Sequence, residues 1–195
     1  MFFSIIIPTT GRTRSVSHAL SSIFEQTYPL WEAIIVGIPG EQHEVGIRPL
    51  LTQDRRIRYM TIPHNTLTEA RTLGISAARG DVITFLDPDD YIAPTHLQTH
   101  HDFFLEHPRV DMVFGKPTII GSPYIEDPHS PTHYSHVNDA PVHGTFFIKE
   151  HVFDRIKHMP HVPHGGLLHE LIKNHQFVTR QIPMPTYIYD RTNQA

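Results

Sequence analysis

Three carboxylates stand within four residues at Asp87-Pro88-Asp89-Asp90, where the apolar run Val82-Ile83-Thr84-Phe85-Leu86 ends. In water such a cluster repels itself; a divalent cation removes that cost and takes oxygen ligands. Asp87, Asp89 and Asp90 are therefore candidate ligands of Mn2+ or Mg2+. An ion held there would bridge a substrate's phosphates and offset charge growing on a leaving diphosphate. Pro88 fixes one backbone angle and stiffens the spacing of the first two acids. A plainer role also suits these residues: an exposed acidic turn whose Asp90 favours the dipole of a helix beginning near Pro94.

The elements around the turn decide between these roles. Residues 2–7 form a continuous apolar run closed by Pro8, which predicts a strand buried on both faces. Val16, Leu20, Ile23 and Phe24 recur at helical spacing, and Ala33 to Val36 is a second short apolar strand. Ile57 to Ile62 alternates and reads as a third. Thr66-Leu67-Thr68-Glu69 matches a capping box, and the helix it opens carries Leu67, Ala70, Arg71, Gly74, Ile75 and Ala78 on one face before stopping at Gly80. The fourth strand, 82–86, runs straight into the acids. The order β-α-β-β-α-β predicts an α/β fold, a mostly parallel sheet with helices on both faces. Ligands of such sheets bind outside the carboxyl ends of the strands. The acidic turn lies at one such end, and Pro8-Thr9-Thr10-Gly11-Arg12 at another.

Beyond residue 90, Pro94 begins a helix that His107-Pro108 terminates, and Val110 to Phe114 is a strand. Residues 115–142, rich in Pro, His, Ser and Asp, read as a long loop with one strand at Pro117 to Ile120. Gly144 to Ile148 reads as a strand, Glu150 to Ile156 and Gly166 to His175 as helices, and Phe177 to Tyr189 as extended.

Composition narrows the classes. The 195 residues suit one domain, and 39% hydrophobic with 18% charged residues describes an ordinary globular chain. A net charge of −4 gives no support for nucleic-acid binding. Zero cysteines exclude disulfides and thiolate metal sites. The apolar start reads as a strand and not as a leader, no run approaches the roughly 20 apolar residues of a membrane helix, and a cytoplasmic enzyme is the expectation. The 17 histidines are scattered, without zinc-site spacing.

The assembled motifs resemble family 2 glycosyltransferases. Ser4-Ile5-Ile6-Ile7-Pro8-Thr9-Thr10-Gly11-Arg12 is similar to the family's opening strand and its Pro-Thr-Tyr-Asn-Arg turn, and Gln26-Thr27-Tyr28 to the close of its first helix. Ala70-Arg71-Thr72-Leu73-Gly74, then Gly80-Asp81, the fourth strand and Asp87-Pro88-Asp89-Asp90, follow the order of its central signature. The resemblance implies a GT-A fold that takes a nucleoside diphosphate sugar and a divalent metal. It makes residues 1–114 the nucleotide-sugar-binding half and 115–195 the acceptor half of a single domain. By similarity Pro8, Thr9 and Arg12 line the nucleoside pocket, and Arg71 lies near the base or phosphates. Asp87 faces the ribose and sugar, Asp89 or Asp90 the metal, and Arg191 covers the diphosphate. The implied reaction is inverting transfer to the hydroxyl of a glycan, glycolipid or small-molecule acceptor.

Two positions depart from the pattern. The family's base-reading acid after the second strand is replaced by Val36-Gly37-Ile38-Pro39-Gly40, with Glu41 the nearest carboxylate. Its helix-opening Glu-Asp, the source of the general base, falls on Leu167-Leu168 after Gly165-Gly166. A two-residue shift presents His169-Glu170, so Glu170 and then His169 are the candidate bases, with His164 third. These departures leave a second reading, a degenerate GT-A domain that binds a nucleotide or a protein partner without catalysis.

Overall fold

A computed structural model describes residues 1–9, 16–37, 48–49, 51–52, 54–63, 66–127, 130–137, 142–156 and 176–192. Strands β1 (Phe3–Pro8) and β2 (Trp31–Gly37) are buried along their whole length, as their unbroken apolar runs require. β3 (Ile57–Thr61), β2, β1 and β4 (Val82–Phe85) lie side by side and parallel, so their carboxyl ends share one edge.

β9 (Phe147–Lys149) enters antiparallel between β4 and β6 (Met112–Ile120). β10 (Thr179–Asp190) then runs parallel to β6, and the two-residue β5 (Tyr91–Ile92) pairs antiparallel with β10 at the far edge. The sheet order is β3-β2-β1-β4-β9-β6-β10-β5. The parallel half matches expectation; the other half is mixed. Because β9 is antiparallel to both its neighbours, β6 and with it β10 run in the direction of β4, and β10 ends at the same edge as β4.

Helices cover both faces. Val16 with Ala19, Leu20 and Ile23 of α1 (Ser17–Phe24), and Leu97 and Phe104 of α3 (His96–Glu106), pack on Phe3, Ile5 and Ile7. Opposite them, Ala70 of α2 (Leu67–Ala77) meets Ile34 and Val36, while Val152 and Phe153 of α4 (Glu150–Ile156) meet Ile83 and Phe85. Gly74 lets α2 approach β1 closely, since a Cβ there would run into Ile6. The capping box forms in altered guise: Thr66 Oγ1 accepts from the Glu69 N–H at 3.2 Å and donates to the Glu69 carboxylate at 2.8 Å.

The expected loop at 115–142 is instead largely strand. β6 continues to Ile120, and β7 (Tyr124–Asp127) pairs with β8 (Ser130–His136) in a separate hairpin. Prolines argued against strands there; β6 and β10 accommodate theirs by a register shift between Met184 and Ile188, across which Thr118 Oγ1 donates to Pro185 O. Residues 143–145 form a 3-10 turn rather than the start of a strand. The helix expected at 166–175 lies outside the described residues. No described helix is long and apolar enough to cross a membrane.

Candidate active site

At the shared edge β4 runs out through Leu86, whose N–H still reaches Ile6 O at 3.0 Å, and the chain turns back with the Asp90 N–H donating to Asp87 O. This turn separates the acids. Asp89 is exposed, Asp87 keeps 31% of its side chain open, and Asp90 is 1% exposed. Asp87 Oδ1 lies 3.4 Å from Nη2 of Arg71, which the second turn of α2 brings up beneath it. Arg71 is buried, and its Nε has no hydrogen-bond partner among the described residues.

Asp90 faces inward. Its Oδ2 accepts from the Tyr187 hydroxyl at 2.5 Å and its Oδ1 from the Asp190 N–H at 3.1 Å. Burial, then the like charge of Asp87, pushes its carboxyl up to about 8 against the pull of these two donors. Burial and the carboxylate of Asp90 likewise hold the Tyr187 phenol well above its usual range, so the proton stays on the tyrosine. Desolvation on its inner side and the charges of Asp87 and Asp190 raise the Asp89 carboxyl. Asp190 is thus a fourth acid at the turn, and its own carboxyl is held low chiefly by hydrogen bonds from the Thr192 hydroxyl and N–H.

Thr9 is buried beyond β1, its N–H and hydroxyl both donating to Val36 O; Pro8 pairs in register with Val36. Arg191 follows β10, its N–H bonded to Ile120 O at 2.9 Å. Its Nε and Nη1 are shielded from solvent and have no partner among the described residues. Pro8, Thr9, Arg71, Asp87, Asp89, Asp90 and Arg191 therefore all lie at the carboxyl edge of the sheet. Arg12, Glu41, His164, His169 and Glu170 lie outside the described residues.

Asp190, Tyr187 and His18 also stand by the turn, and none of them has a role assigned from the sequence. The His18 ring lies 4.4 Å from that of Tyr91, and a positive charge on it would add to the lowering of the Asp190 carboxyl. A polar residue closing a strand was the available signal for Asp190; nothing local marked His18.

The Glycosyl transferase family 2 model matches residues 4–173, most of the chain. The chain belongs to the glycosyl transferase family 2. Among relatives of this family, an uncharacterized glycosyltransferase of Haemophilus influenzae is 32% identical over 107 residues, 53% of this chain and 42% of its own length. The UDP-Glc:alpha-D-GlcNAc-diphosphoundecaprenol beta-1,3-glucosyltransferase WfgD of Escherichia coli is 27% identical over 120 residues, 61% of this chain and 47% of its own. The chain thus spans under half the length of both relatives.

Among solved structures, S. aureus TarS 1–349 in complex with UDP-GlcNAc superposes with a TM-score of 0.75 at 16% identity, covering 99% of this chain and 59% of that 1–349 chain. The mannosyltransferase PcManGT from Pyrobaculum calidifontis, in complex with GDP-Man and Mn2+, superposes at 0.71 with 15% identity, covering 96% and 56%. At such identities the likeness carries the fold, which is the GT-A type.

Proposed function

We propose that this family 2 domain transfers a glycosyl unit, with inversion, from a nucleoside diphosphate sugar to an acceptor hydroxyl. The observation that carries the reading is the arrangement at the carboxyl edge: outward Asp89 and Asp87, the latter paired to buried Arg71. Relatives named as glycosyltransferases, and superposed structures holding UDP-GlcNAc or GDP-Man, support this donor class.

The donor set fits a hard divalent ion. Among the described residues no three His, Asp or Glu side chains converge to hold one by themselves. Mg2+ and Mn2+ need no such cage, because one or two carboxylates suffice when phosphates and water fill the shell. Of the predicted ligands Asp89 and Asp87 would hold the ion, Mn2+ or Mg2+, since both present open carboxylate oxygens. When bound, it neutralises phosphate charge and so eases departure of the diphosphate.

The chain's own residues do the rest. Pro8, Thr9 and Arg12 border the nucleoside, Arg71 supplies a fixed positive charge beside Asp87, and Arg191, at the end of β10, brings its guanidinium charge to the phosphates. Glu170 or His169 takes the acceptor's proton as its oxygen bonds to the anomeric carbon and the bond from that carbon to the diphosphate oxygen breaks. The acceptor is a glycan, glycolipid or small glycoside. A cysteine-free chain using a nucleotide-linked donor is assigned to the cytoplasm.

Calorimetric titration of UDP, GDP and dTDP, with and without Mn2+, tests the reading. One nucleotide is expected to bind in a Mn2+-dependent way, with Asp89→Ala weakening it by about tenfold or more, roughly 1.4 kcal/mol. Absence of binding by all three would overturn it in favour of a degenerate, partner-binding domain.

A further inference from the structure

We infer that Asp90 is a positioning residue: it holds no ion, and instead locks the end of β10 against the acidic turn so that Arg191 stands at the site. The inference rests on the donor-site reading above. A metal ligand must turn a free lone pair toward the ion. Asp90 is 1% exposed, so the lone pairs left over on its oxygens have no open side to meet an ion, and each oxygen already accepts from a protein donor, the Tyr187 hydroxyl at 2.5 Å and the Asp190 N–H at 3.1 Å. Asp87 and Asp89, three and one residues earlier, remain open.

The two bonds cross from the start of β5 to the end of β10, where Tyr187 already pairs with Ile92 and Ile188 with Tyr91. Tyr187 cannot drift, because its ring fills the space a Cβ on Gly144 would need and Asp90 anchors its hydroxyl. The Asp190 N–H bond then sets the backbone one residue before Arg191, while the Arg191 N–H holds Ile120 O. Between these anchors the Arg191 side chain keeps Nε and Nη1 shielded and without partners among the described residues. A guanidinium with donors left over suits an oxyanion such as a phosphate, two of whose oxygens can accept from one fork.

The test uses UDP, GDP and dTDP as probes, reading nucleotide affinity at saturating Mn2+ and, separately, the Mn2+ concentration for half-maximal binding. Asp90→Asn, Tyr187→Phe and Arg191→Ala are each expected to weaken the bound nucleotide by about tenfold. The Asp90→Asn/Arg191→Ala double variant should be no weaker than Arg191→Ala alone, and the Mn2+ midpoint should stay within about twofold of wild type. Asp89→Asn raises that midpoint. A Mn2+ midpoint raised by Asp90→Asn as by Asp89→Asn would overturn the inference, as would additive losses in the double variant. Thermal unfolding checks that each variant is folded; should Asp90→Asn not fold, Tyr187→Phe with Arg191→Ala gives the same cycle. Wild-type protein that binds none of the nucleotides defeats the donor-site reading, and this inference with it.

Discussion

Arg71 pairs with Asp87 at 3.4 Å, long for a charge-assisted hydrogen bond, and its Nε is left without a partner among the described residues. A buried guanidinium so loosely satisfied is poised to share its donors with a third group, and the donor's base or phosphates are the candidates. Arg71→Met removes the charge without leaving a cavity. Asp87 is open enough to hydrate, so the folding cost should be modest, about 1 kcal/mol by thermal unfolding. Calorimetry should show nucleotide binding weakened by about tenfold or more. Arg71→Lys is expected to fall between, because a point charge cannot reproduce the fork. An Arg71→Met protein that binds like wild type would reduce Arg71 to a structural partner of Asp87.

Among the elements, the join between α1, β5 and α3 shows how the chain after the acidic turn is held. Gln26 lies just beyond α1; its Nε2 donates to Ser22 O at 2.9 Å and Ala93 O at 2.8 Å, and its Oε1 accepts the Leu97 N–H at 3.0 Å. One amide therefore closes α1, grips the exit of β5 and supplies the cap α3 lacks, since Thr95 makes no side-chain cap bond. The Ser22 hydroxyl adds a bond from the Ile92 N–H at 3.2 Å. Gln26→Leu keeps the volume and strands these buried groups, with an expected loss of about 2–3 kcal/mol in urea unfolding. A loss under about 0.5 kcal/mol would mean that water replaces the amide. The motif Gln26-Thr27-Tyr28, legible in the sequence as a helix ending, is thus also a clamp: Thr27 bonds Pro94 O and Tyr28 reaches Met1 O.

For the whole molecule, two buried histidines couple folding to pH. His100 stacks on Phe147 at 3.7 Å, its Nδ1 bonded to His96 O, and His96 Nδ1 meets the Thr186 hydroxyl at 2.8 Å. Burial above all lowers both, His100 to about 4 and His96 well below its usual range. Their neutral forms contribute fully above the unfolded value of about 6.5; as pH falls from there toward 4, the unfolded chain binds protons the folded chain refuses. Asp90, raised to about 8, works in the opposite sense, its contribution being lost as pH rises through that value. The clean measurement is therefore a difference. The unfolding free energy of wild type minus that of His100→Phe, which keeps the stack, should fall by about 3 kcal/mol between pH 7 and pH 4. A difference independent of pH would show that His100 protonates in place.

Local patterns were enough for much of this molecule. The apolar runs of β1, β2 and β4, the capping box at Thr66 and the order of elements to residue 90 carry their own periods and stop signals, and they led to the parallel half of the sheet and to the edge where Asp87 and Asp89 stand. The second half was harder to read, because β6 and β10 contain prolines and are strands only by pairing with each other, Thr179 with Met112 and onward. The different lives of the three clustered acids were equally hidden. As a sequence Asp89 and Asp90 are equivalent donors. What distinguishes Asp90 is Tyr187 and the Asp190 backbone, 97 and 100 residues away. Only the folded sheet, by bringing β10 back to the carboxyl edge of β4, decided which carboxylate turned inward and which stayed open to solvent.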